Sequence, residues 1–216
     1  MTATASLRET ALIAIKKKIQ YGEWHSDMIM TEVVLCDELN ISRTPVREAL
    51  IQLVSDGIIR KVPHRGYAVV KFDQKSKLNL YVVYSYLDAL AASLSANQLE
   101  PTDLLKMHEC ADKIDIALKY HNYADYYKLQ DQFHKIYIDK CDNPVLMKLI
   151  NDLSENPINR SYSSEDADNT ERLYEVLEEA NREHREIIRM FEEKDTNRLV
   201  EFLRNTHWNT KYPDLI

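Results

Sequence analysis

The amino-acid sequence predicts a mainly α-helical protein with two domains. A small domain of helices and one β-hairpin is expected over residues 1–72, and an all-helical bundle over residues 73–216. All three glycines, Gly22, Gly57 and Gly66, lie in the first part. A long charged segment without glycine and with few prolines lacks the tight turns that a sheet domain needs. Apolar residues also recur at helical spacing through most of the chain.

The first domain begins with two predicted helices. Ser6 and Glu9 fit a capping box, in which each side chain bonds a backbone N–H that the first helical turn leaves unpaired, and this helix ends near Gly22. A second helix can begin at Thr31, and the turn after it starts at Asn40. In both helices apolar residues share one face that we expect to be buried: Leu12, Ile15, Ile19, Val34, Leu35 and Leu39.

The third helix and the hairpin after it have the clearest local signals. Pro45 suits the first turn of a helix, where a missing N–H costs nothing, and Gly57 suits the left-handed residue that ends it. Two β-rich runs, 58–62 and 67–70, flank Pro63-His64-Arg65-Gly66, which is typical of a hairpin turn. The inward face of the helix is apolar at Val46, Ala49, Leu50 and Leu53. Three helices followed by a hairpin form a winged helix-turn-helix domain.

The outward face of the third helix predicts contact with DNA. Arg43, Thr44 and Arg47 lie near its N-terminal end, where a helix in the major groove meets bases and phosphates. Arginine can pair two donors with one guanine. His64 and Arg65, on the turn of the wing, are placed to reach the adjacent minor groove or its phosphates. The spacing alone leaves open that these are ordinary solvated side chains on a surface helix.

Composition and charge limit the classes of protein. The chain carries a net charge of −7, but residues 1–72 have ten Lys or Arg against eight Asp or Glu, whereas residues 73–216 have eighteen against twenty-seven. The acidity therefore belongs to the second domain, and a basic face on the first is compatible with phosphate binding. The three cysteines have no CxxC spacing, and no apolar run suits a signal peptide or membrane span. We expect a cytoplasmic protein with reduced thiols.

The second domain is predicted to be a bundle of about six helices. The first helix has an apolar stripe that we expect to face the core: Leu80, Val83, Leu87, Leu90 and Leu94. A polar stretch at 156–168 is expected to be a loop. The predicted helices span about 75–97, 101–120, 123–140, a segment from Asn143-Pro144 onward, 170–193 and 195–210.

Ser42 to Leu50, with Leu53 and then Asp56 to Ile59, closely resembles the GntR family of bacterial transcription regulators, and Arg65 to Val69 resembles that family's wing. The match covers residues 8–72. The resemblance implies a regulator that binds a palindromic operator on double-stranded DNA as a homodimer. It also implies which residues contact the operator: Ser42, Arg43, Thr44, Arg47, His64, Arg65 and Gly66.

The helical domain resembles the FCD effector domain of the FadR-type subgroup. Gln130 to His134, Asn143-Pro144 and Glu183 to Ile188 are similar to that subgroup's D-x-x-F-H, N-P and E-H-x-x-I signatures. The resemblance implies a small-molecule effector, in many members a small carboxylate. It also implies one divalent metal ion, often zinc, nickel or manganese, held by an aspartate and three histidines.

Carried onto this chain, the family's metal site is incomplete. His134 and His184 match two ligands, but Gln130 stands at the aspartate position. Asp131 follows one residue later and lies three residues before His134, near the same helix face. The third histidine position is Thr206, and the adjacent residue, His207, would be rotated by about 100° on an ideal helix.

Three interpretations of these histidines stay open. They could form a working metal site completed by substitutes such as Asp131 or His207, because imidazoles on facing helices suit transition metals. They could line a site that has lost its metal and binds an organic effector directly. They could also be core residues that hydrogen bonds satisfy.

The first helix of the bundle departs from the family as well. Where the family commonly shows R-x-x-L-E, this chain has Tyr84-Ser85-Tyr86-Leu87-Asp88. The change removes an arginine that could pair with an anionic effector. Tyr84 and Asp88 are our candidate effector-pocket residues, although tyrosines more often pack at helix interfaces with the hydroxyl in water.

The sequence leaves two alternatives to an effector-responsive regulator. A helical-bundle metalloenzyme fused to a DNA-binding head is one, since Asp131-x-x-His134 resembles the carboxylate-x-x-His pairs of di-metal bundles. The chain contains no Glu-x-x-His pair, however, so we expect no enzyme. The other is a regulator whose helical domain only dimerises and binds no effector.

Overall fold

The chain divides into two compact units in the computed structural model. The first unit contains the described residues up to 70, and the second contains those from 74 onward. The predicted domain boundary after residue 72 lies outside the described residues and stays a prediction. The structure describes residues 6–20, 23–25, 28–70, 74–154 and 170–208.

The first unit has the predicted helices and hairpin and one additional strand. Its elements are α1 (Leu7–Gln20), β1 (Ile29–Met30), α2 (Glu32–Leu39), α3 (Arg43–Ser55), β2 (Ile59–Val62) and β3 (Gly66–Val69). The predicted end of α1 near Gly22 lies outside the described residues.

The local signals at the start of α2 and the end of α3 are confirmed, and of the capping box at α1 the serine half is seen. Ser6 Oγ accepts a hydrogen bond from the backbone N–H of Glu9 at 3.2 Å, and the side chain of Thr31 caps α2. Gly57 has a φ of +71° after the end of α3. The N–H of Ile58 bonds the carbonyl of Leu53, and the N–H of Gly57 bonds that of Val54. These two bonds form a Schellman motif, which needs a left-handed residue at that position.

The core of the first unit lies between α1, α3 and the sheet. All four predicted inward residues of α3 are fully buried. Leu35 of α2 is buried too, but Val34 is 41% exposed, so the prediction that Val34 faces inward is wrong. Consecutive residues differ by about 100° on a helix, and only Leu35 of this pair points at α3. The buried set includes Ala11, Ile15, Trp24, Leu35, Val46, Ala49, Leu50, Leu53 and Ile59.

The sheet is antiparallel, with the strand order β1-β3-β2. Ile29 pairs with Ala68 and Met30 with Tyr67, and Val62 pairs with Gly66 at the end of the hairpin. The strand β1 was not predicted, because a strand of two residues is too short to show the alternation of apolar and polar side chains. The presence of β1 explains why position 66 is a glycine: a Cβ on this residue, whose φ is +129°, would lie 2.4 Å from the carbonyl oxygen of Met30.

The second unit is all-helical in its described residues, as predicted. Its core contains Phe133, Tyr137, Ile150, Ile187 and Leu199. The predicted loop at 156–168 and the end of the last helix near residue 210 lie outside the described residues. The helices are α4 (Gln74–Ser95), α5 (Pro101–Lys119), α6 (Tyr123–Ile138), α7 (Pro144–Ser154), α8 (Thr170–Glu193) and α9 (Thr196–Phe202), and a π-helical turn (Leu203–His207) continues α9.

The face of α4 that contacts the core differs from the predicted one. Val83, Leu90 and Leu94 were expected to be buried, but they are 50%, 46% and 42% exposed. Leu80 and Leu87 are half-buried. Small and polar residues face the core instead: Ser85, Asp88, Ala89, Ala91, Ala92, Ser95 and Ala96. Small side chains let neighbouring helices approach closely, so α4 buries the face with small side chains and leaves an apolar stripe exposed.

Candidate functional site

The candidate DNA-contact residues lie at the N-terminal end of α3 and on the turn of the wing. Six of the seven are exposed, and Gly66 is half-buried. His64 has a φ of +59°, and a hydrogen bond from the N–H of Arg65 to the carbonyl of Val62 closes this turn at 3.1 Å. The exposed six are Ser42, Arg43, Thr44, Arg47, His64 and Arg65.

Arg47 is held by a carboxylate of the preceding helix. Its Nε donates to Glu32 Oε1 at 3.0 Å, and its Nη2 donates to Glu32 Oε2 at 2.7 Å. The hydroxyl of Tyr67 in β3 donates to the same carboxylate at 3.4 Å. The hydrogen bond from Arg47 is the main cause that lowers the pKa of Glu32. Glu32 was not predictable from the sequence, because no local pattern shows that the first turn of α2 lies beside α3.

Three histidines of the second unit converge. One ring nitrogen from each of His134, His184 and His207 lies within 4.8 Å of the others. His134 is 3% exposed and His184 is fully buried, and the side chain of His207 is 3% exposed. His134 Nε2 and His207 Nε2 are 3.2 Å apart. The residues come from α6, α8 and the π-helical turn, respectively.

The π-helical turn explains why His207 joins this group. A π-bulge inserts one extra residue into a helix, so the next residue takes the position that its predecessor would occupy in a regular α-helix. The π-helical turn spans Leu203 to His207 and so contains both the position predicted from the family and His207. His207, one of the two predicted substitute ligands, therefore reaches the other two histidines, although an ideal helix would rotate it by about 100° from the family position. Thr206 stands one residue earlier in the same turn.

Each histidine has a hydrogen-bond partner at Nδ1. The carboxylate of Glu183, which can only accept, lies 3.0 Å from Nδ1 of His207. Nδ2 of Asn181 donates to the carbonyl of Ala111 and to Asp115, so its Oδ1 faces Nδ1 of His184 at 3.2 Å. Both Nδ1 atoms therefore carry the proton, and both Nε2 atoms carry lone pairs.

The third histidine is oriented by a buried chain of side chains. Tyr137 donates its hydroxyl proton to the carboxylate of Asp88, 2.7 and 2.8 Å from the two oxygens. The hydroxyl oxygen is then free to accept from Nδ1 of His134 at 2.6 Å. The indole N–H of Trp208 also donates to Asp88 at 2.8 Å. The lone pair on Nε2 of His134 therefore faces the other two histidines.

The predicted effector-pocket residues lie beside this cluster. Asp88 is fully buried. Burial opposes its ionisation, but His134 and the hydrogen bonds from Trp208 and Tyr137 outweigh that effect and lower the pKa of Asp88. The ring of Tyr84 packs against that of Trp208 at 4.5 Å between centroids. Tyr84 is 5% exposed, so it packs as a core residue next to the histidine cluster.

Two of the candidate metal ligands lie outside the cluster. Asp131 is exposed on α6 and Gln130 is half-buried, whereas His134 of the same helix is buried. Among the described residues, the group that could hold an ion contains the three histidines and neither of these side chains. A fully buried carboxylate, that of Asp88, lies beside the cluster, with its Oδ2 3.6 Å from Nδ1 of His134.

The donor set fits a divalent transition metal. Nε2 of His184 is buried and has no hydrogen-bond partner in the part of the chain that the structure describes. Burial, with smaller contributions from His207 and His134, lowers the pKa of His184 well below 6.5. Burial also lowers the pKa of His207, although the hydrogen bond to Glu183 opposes it. Neutral imidazoles with outer hydrogen bonds at Nδ1 are the usual nitrogen ligands of zinc, nickel and related ions.

No helix within the described ranges is long and apolar enough to cross a membrane.

Comparison with known proteins defines the class of the chain. Residues 7–69 match the model of bacterial regulatory proteins of the gntR family, and residues 79–207 match the FCD domain. The family and the names of the relatives point to a transcription regulator rather than an enzyme, so the metalloenzyme alternative is set aside. The chain spans 50% to 63% of the length of the first curated relatives that it matches. It belongs to the GntR family, and its second unit is an FCD domain.

Named relatives are regulators as well. The chain is 30% identical over 152 residues to the gluconate operon transcriptional repressor of Bacillus subtilis, an alignment that covers 68% of this chain and 60% of that protein. It is 24% identical to the transcriptional repressor GlaR of Escherichia coli, over 92% of this chain and 91% of GlaR. The alignment with the uncharacterised regulator YdhC of B. subtilis, at 23% identity, covers 65% of this chain and 63% of YdhC.

Solved structures share the fold. McbR/YncC of E. coli has a TM-score of 0.77 at 20% identity, covering 93% of this chain and 92% of that one. A GntR regulator from Rhodococcus sp. RHA1 has a TM-score of 0.72 at 18% identity, covering 95% and 94%. The fold class predicted from the sequence, a winged helix-turn-helix domain followed by a helical domain, is therefore confirmed.

Proposed function

We propose that the chain is an effector-responsive regulator that binds a palindromic operator as a homodimer. The observation that carries the operator proposal is the position of Arg43, Thr44 and Arg47, exposed together at the N-terminal end of a helix beside an exposed wing turn. A helix presented in this way suits the major groove, and the wing suits the adjacent backbone or minor groove. We expect such a regulator to act in the cytoplasm, where the bacterial chromosome lies.

The exposed stripe of α4 supports the homodimer. Five large apolar side chains of this helix are between 42% and 60% exposed and fall within one face about 120° wide. A long apolar stripe on a soluble helix is usually covered by a partner. Two copies related by a twofold axis would cover it on both protomers and present two winged domains to two operator half-sites. The residues are Val82, Val83, Tyr86, Leu90 and Leu94.

The histidine cluster supports a metal-assisted effector site. His134, His184 and His207 offer three Nε2 lone pairs, and His184 Nε2 has no hydrogen-bond partner within the described ranges of the chain. A divalent ion, with zinc, nickel and manganese as the candidates, would be held by these atoms and would offer its remaining coordination positions to a small-molecule effector such as a carboxylate. Tyr84 and Asp88 would line that site next to Trp208.

The operator proposal is tested by selecting duplexes from random DNA with the full-length protein. We expect enrichment of an inverted repeat, and Arg47→Ala should weaken binding to the enriched duplex without lowering the melting temperature by more than a few degrees. Failure of the wild-type protein to enrich any sequence would contradict operator binding.

The effector proposal is tested by metal analysis of the purified protein and by thermal shift with small carboxylic acids and sugar acids. A ligand that binds only the folded state raises the melting temperature. We expect about one divalent ion per protomer and an acid whose effect disappears after chelation. A regulator without an effector would show neither.

A further inference from the structure

We propose that Glu32 is a positioning residue that fixes the guanidinium of Arg47, so that Arg47 reads one guanine of the operator. This inference rests on the proposed function in DNA binding. Glu32 lies on α2, Arg47 on α3 and the hydroxyl of Tyr67 on β3, so three elements of the first unit meet at one carboxylate. The carboxylate does not itself contact DNA in this proposal.

The hydrogen bonds leave one edge of the guanidinium open. Glu32 takes the edge that Nε and Nη2 form, with distances of 3.0 and 2.7 Å. An arginine has five N–H donors, and one of Nη1 together with the outer one of Nη2 forms a second, outer edge of the guanidinium. That outer edge is a planar pair of donors that matches O6 and N7 of guanine. The side chain of Arg47 is 54% exposed, whereas that of Glu32 is only 21% exposed.

Glu32 is itself well anchored. It is the first residue of α2, directly after the capping residue Thr31, where the positive end of the helix dipole stabilises a carboxylate. The hydrogen bond from Arg47 lowers the pKa of Glu32, and the charge of Arg43 contributes in the same direction. Ion pairs at a protein surface typically contribute little to the free energy of folding. The main consequence of this pair is therefore the direction of the guanidinium.

The pairing also separates base reading from general attraction to phosphate. The ion pair of Arg47 with Glu32 is close to neutral as a whole, so it gains little from non-specific contact with the DNA backbone. The outer edge of the guanidinium keeps the full geometry for a bidentate contact, and a good contact of this kind discriminates against a wrong base by roughly fivefold to 150-fold. Glu32 should therefore raise the ratio of specific to non-specific affinity.

The test compares the full-length wild-type protein with Glu32→Gln, Arg47→Ala and the double variant. The probe is the duplex that the wild-type protein enriches from random DNA, and a scrambled duplex measures non-specific binding. The matched control is Glu38→Gln, which removes the same charge from the same helix but from a side chain paired with Lys18 at 3.0 Å. Thermal melting of each variant verifies that it is folded.

For Glu32→Gln we expect affinity for the enriched duplex to fall about tenfold. Non-specific affinity should rise slightly, and its salt dependence should steepen because Arg47 is released to act as a free positive charge. In the Arg47→Ala background, Glu32→Gln should change the affinity for the enriched duplex by less than about twofold. The control should change the specific-to-non-specific ratio by less than about twofold.

Repeating the selection with Glu32→Gln should relax the preference at one guanine of each half-site. Arg47→Lys should relax the same position, because it keeps the charge but lacks the planar edge. An unchanged ratio in Glu32→Gln, or the same loss in the Arg47→Ala background, would overturn the positioning role. Tighter specific binding by Glu32→Gln would mean that the carboxylate shields Arg47 from DNA. No enrichment by the wild-type protein would instead overturn the proposed function itself.

Discussion

Replacing Gly66 with alanine should destabilise the first unit much more than the same replacement at Gly57. Both glycines have a positive φ, +129° and +71° respectively, so alanine is strained at each. Only Gly66 has a neighbour in the way: an added Cβ would lie 2.4 Å from Met30 O and 3.1 Å from Met30 C. At Gly57 nothing lies within 4 Å of that atom.

The magnitudes follow from these surroundings. A left-handed conformation costs an alanine about 1–2 kcal/mol, and alanine recovers part of this by restricting the unfolded chain, so Gly57→Ala should lose about 1 kcal/mol. At Gly66 the strain is about 1–3 kcal/mol. The clash with backbone also forces β1 away from β3, which weakens the Ile29–Ala68 and Met30–Tyr67 pairs and raises the loss to about 3–4 kcal/mol.

The assay follows unfolding of the first unit by the fluorescence of Trp24, which is fully buried there. Trp208 is the second of the two tryptophans, so both variants are compared in a Trp208→Phe background. One kcal/mol corresponds to roughly 4–8 °C for a domain of this size. We expect a fall of about 4–8 °C for Gly57→Ala and about 12 °C or more for Gly66→Ala. Equal losses at the two positions would show that β1 does not pack against Gly66 as described.

Three further predictions concern the second unit. Asn181→Leu frees Nδ1 of His184 and should weaken divalent metal binding by about tenfold to 100-fold in a chelator competition, with no effect if the cluster binds no metal. In metal-free protein the free energy of unfolding should be flat above about pH 7 and fall below pH 6.5. Below pH 6.5 the unfolded chain takes up protons on His184 and His207, whereas burial lowers the pKa of both residues in the folded state. Because the unfolded state then binds more protons, the free energy of unfolding falls as the pH falls, by up to about 2.7 kcal/mol per pH unit. A stability curve that stays flat down to pH 5 would contradict this. Leu90→Glu on the exposed stripe should produce monomers in sedimentation experiments, whereas Leu105→Glu, at a similarly exposed site on α5, should leave the dimer intact.

The first unit was largely predictable because its signals are local. The Schellman motif after α3 follows from one glycine, and the buried face of α3 follows from one period of apolar residues. The strand β1 and the Glu32–Arg47 pair were missed, since both depend on contacts between segments far apart in the sequence. Local patterns carry no information on such neighbours.

The second unit shows where periodicity is ambiguous. Apolar residues occur on two faces of α4, and the larger ones mark the more prominent stripe. The structure buries the face with Ala89, Ala92 and Ala96 instead. Hydrophobicity alone ranks leucine above alanine, but close approach between helices favours the smaller residue. The sequence therefore predicted the helix and its bounds but assigned its core face incorrectly.

The histidine site was half predictable for a similar reason. His134 and His184 followed from short motifs, whereas the position of His207 depends on a change of hydrogen-bond register within one turn. The roles of Tyr137 and Trp208, which both donate to Asp88, depend on a buried network from three distant segments. The candidate effector residue Asp88 is thereby connected to a candidate metal ligand, a link that sequence spacing did not contain.

The position of Asp88 on α4 also bears on how an effector could act on DNA binding. Asp88 faces inward and connects through Tyr137 to His134, while Leu90, two residues later on the same helix, belongs to the exposed stripe. Under the proposed function, an effector that changes the hydrogen bonds of Asp88 would shift α4, and the stripe would move with it because a helix moves as a rigid element. Packed interfaces respond to such shifts by adopting a second arrangement. The dimer arrangement, and with it the spacing between the α3 helices of the two protomers, would then depend on the occupancy of the histidine site.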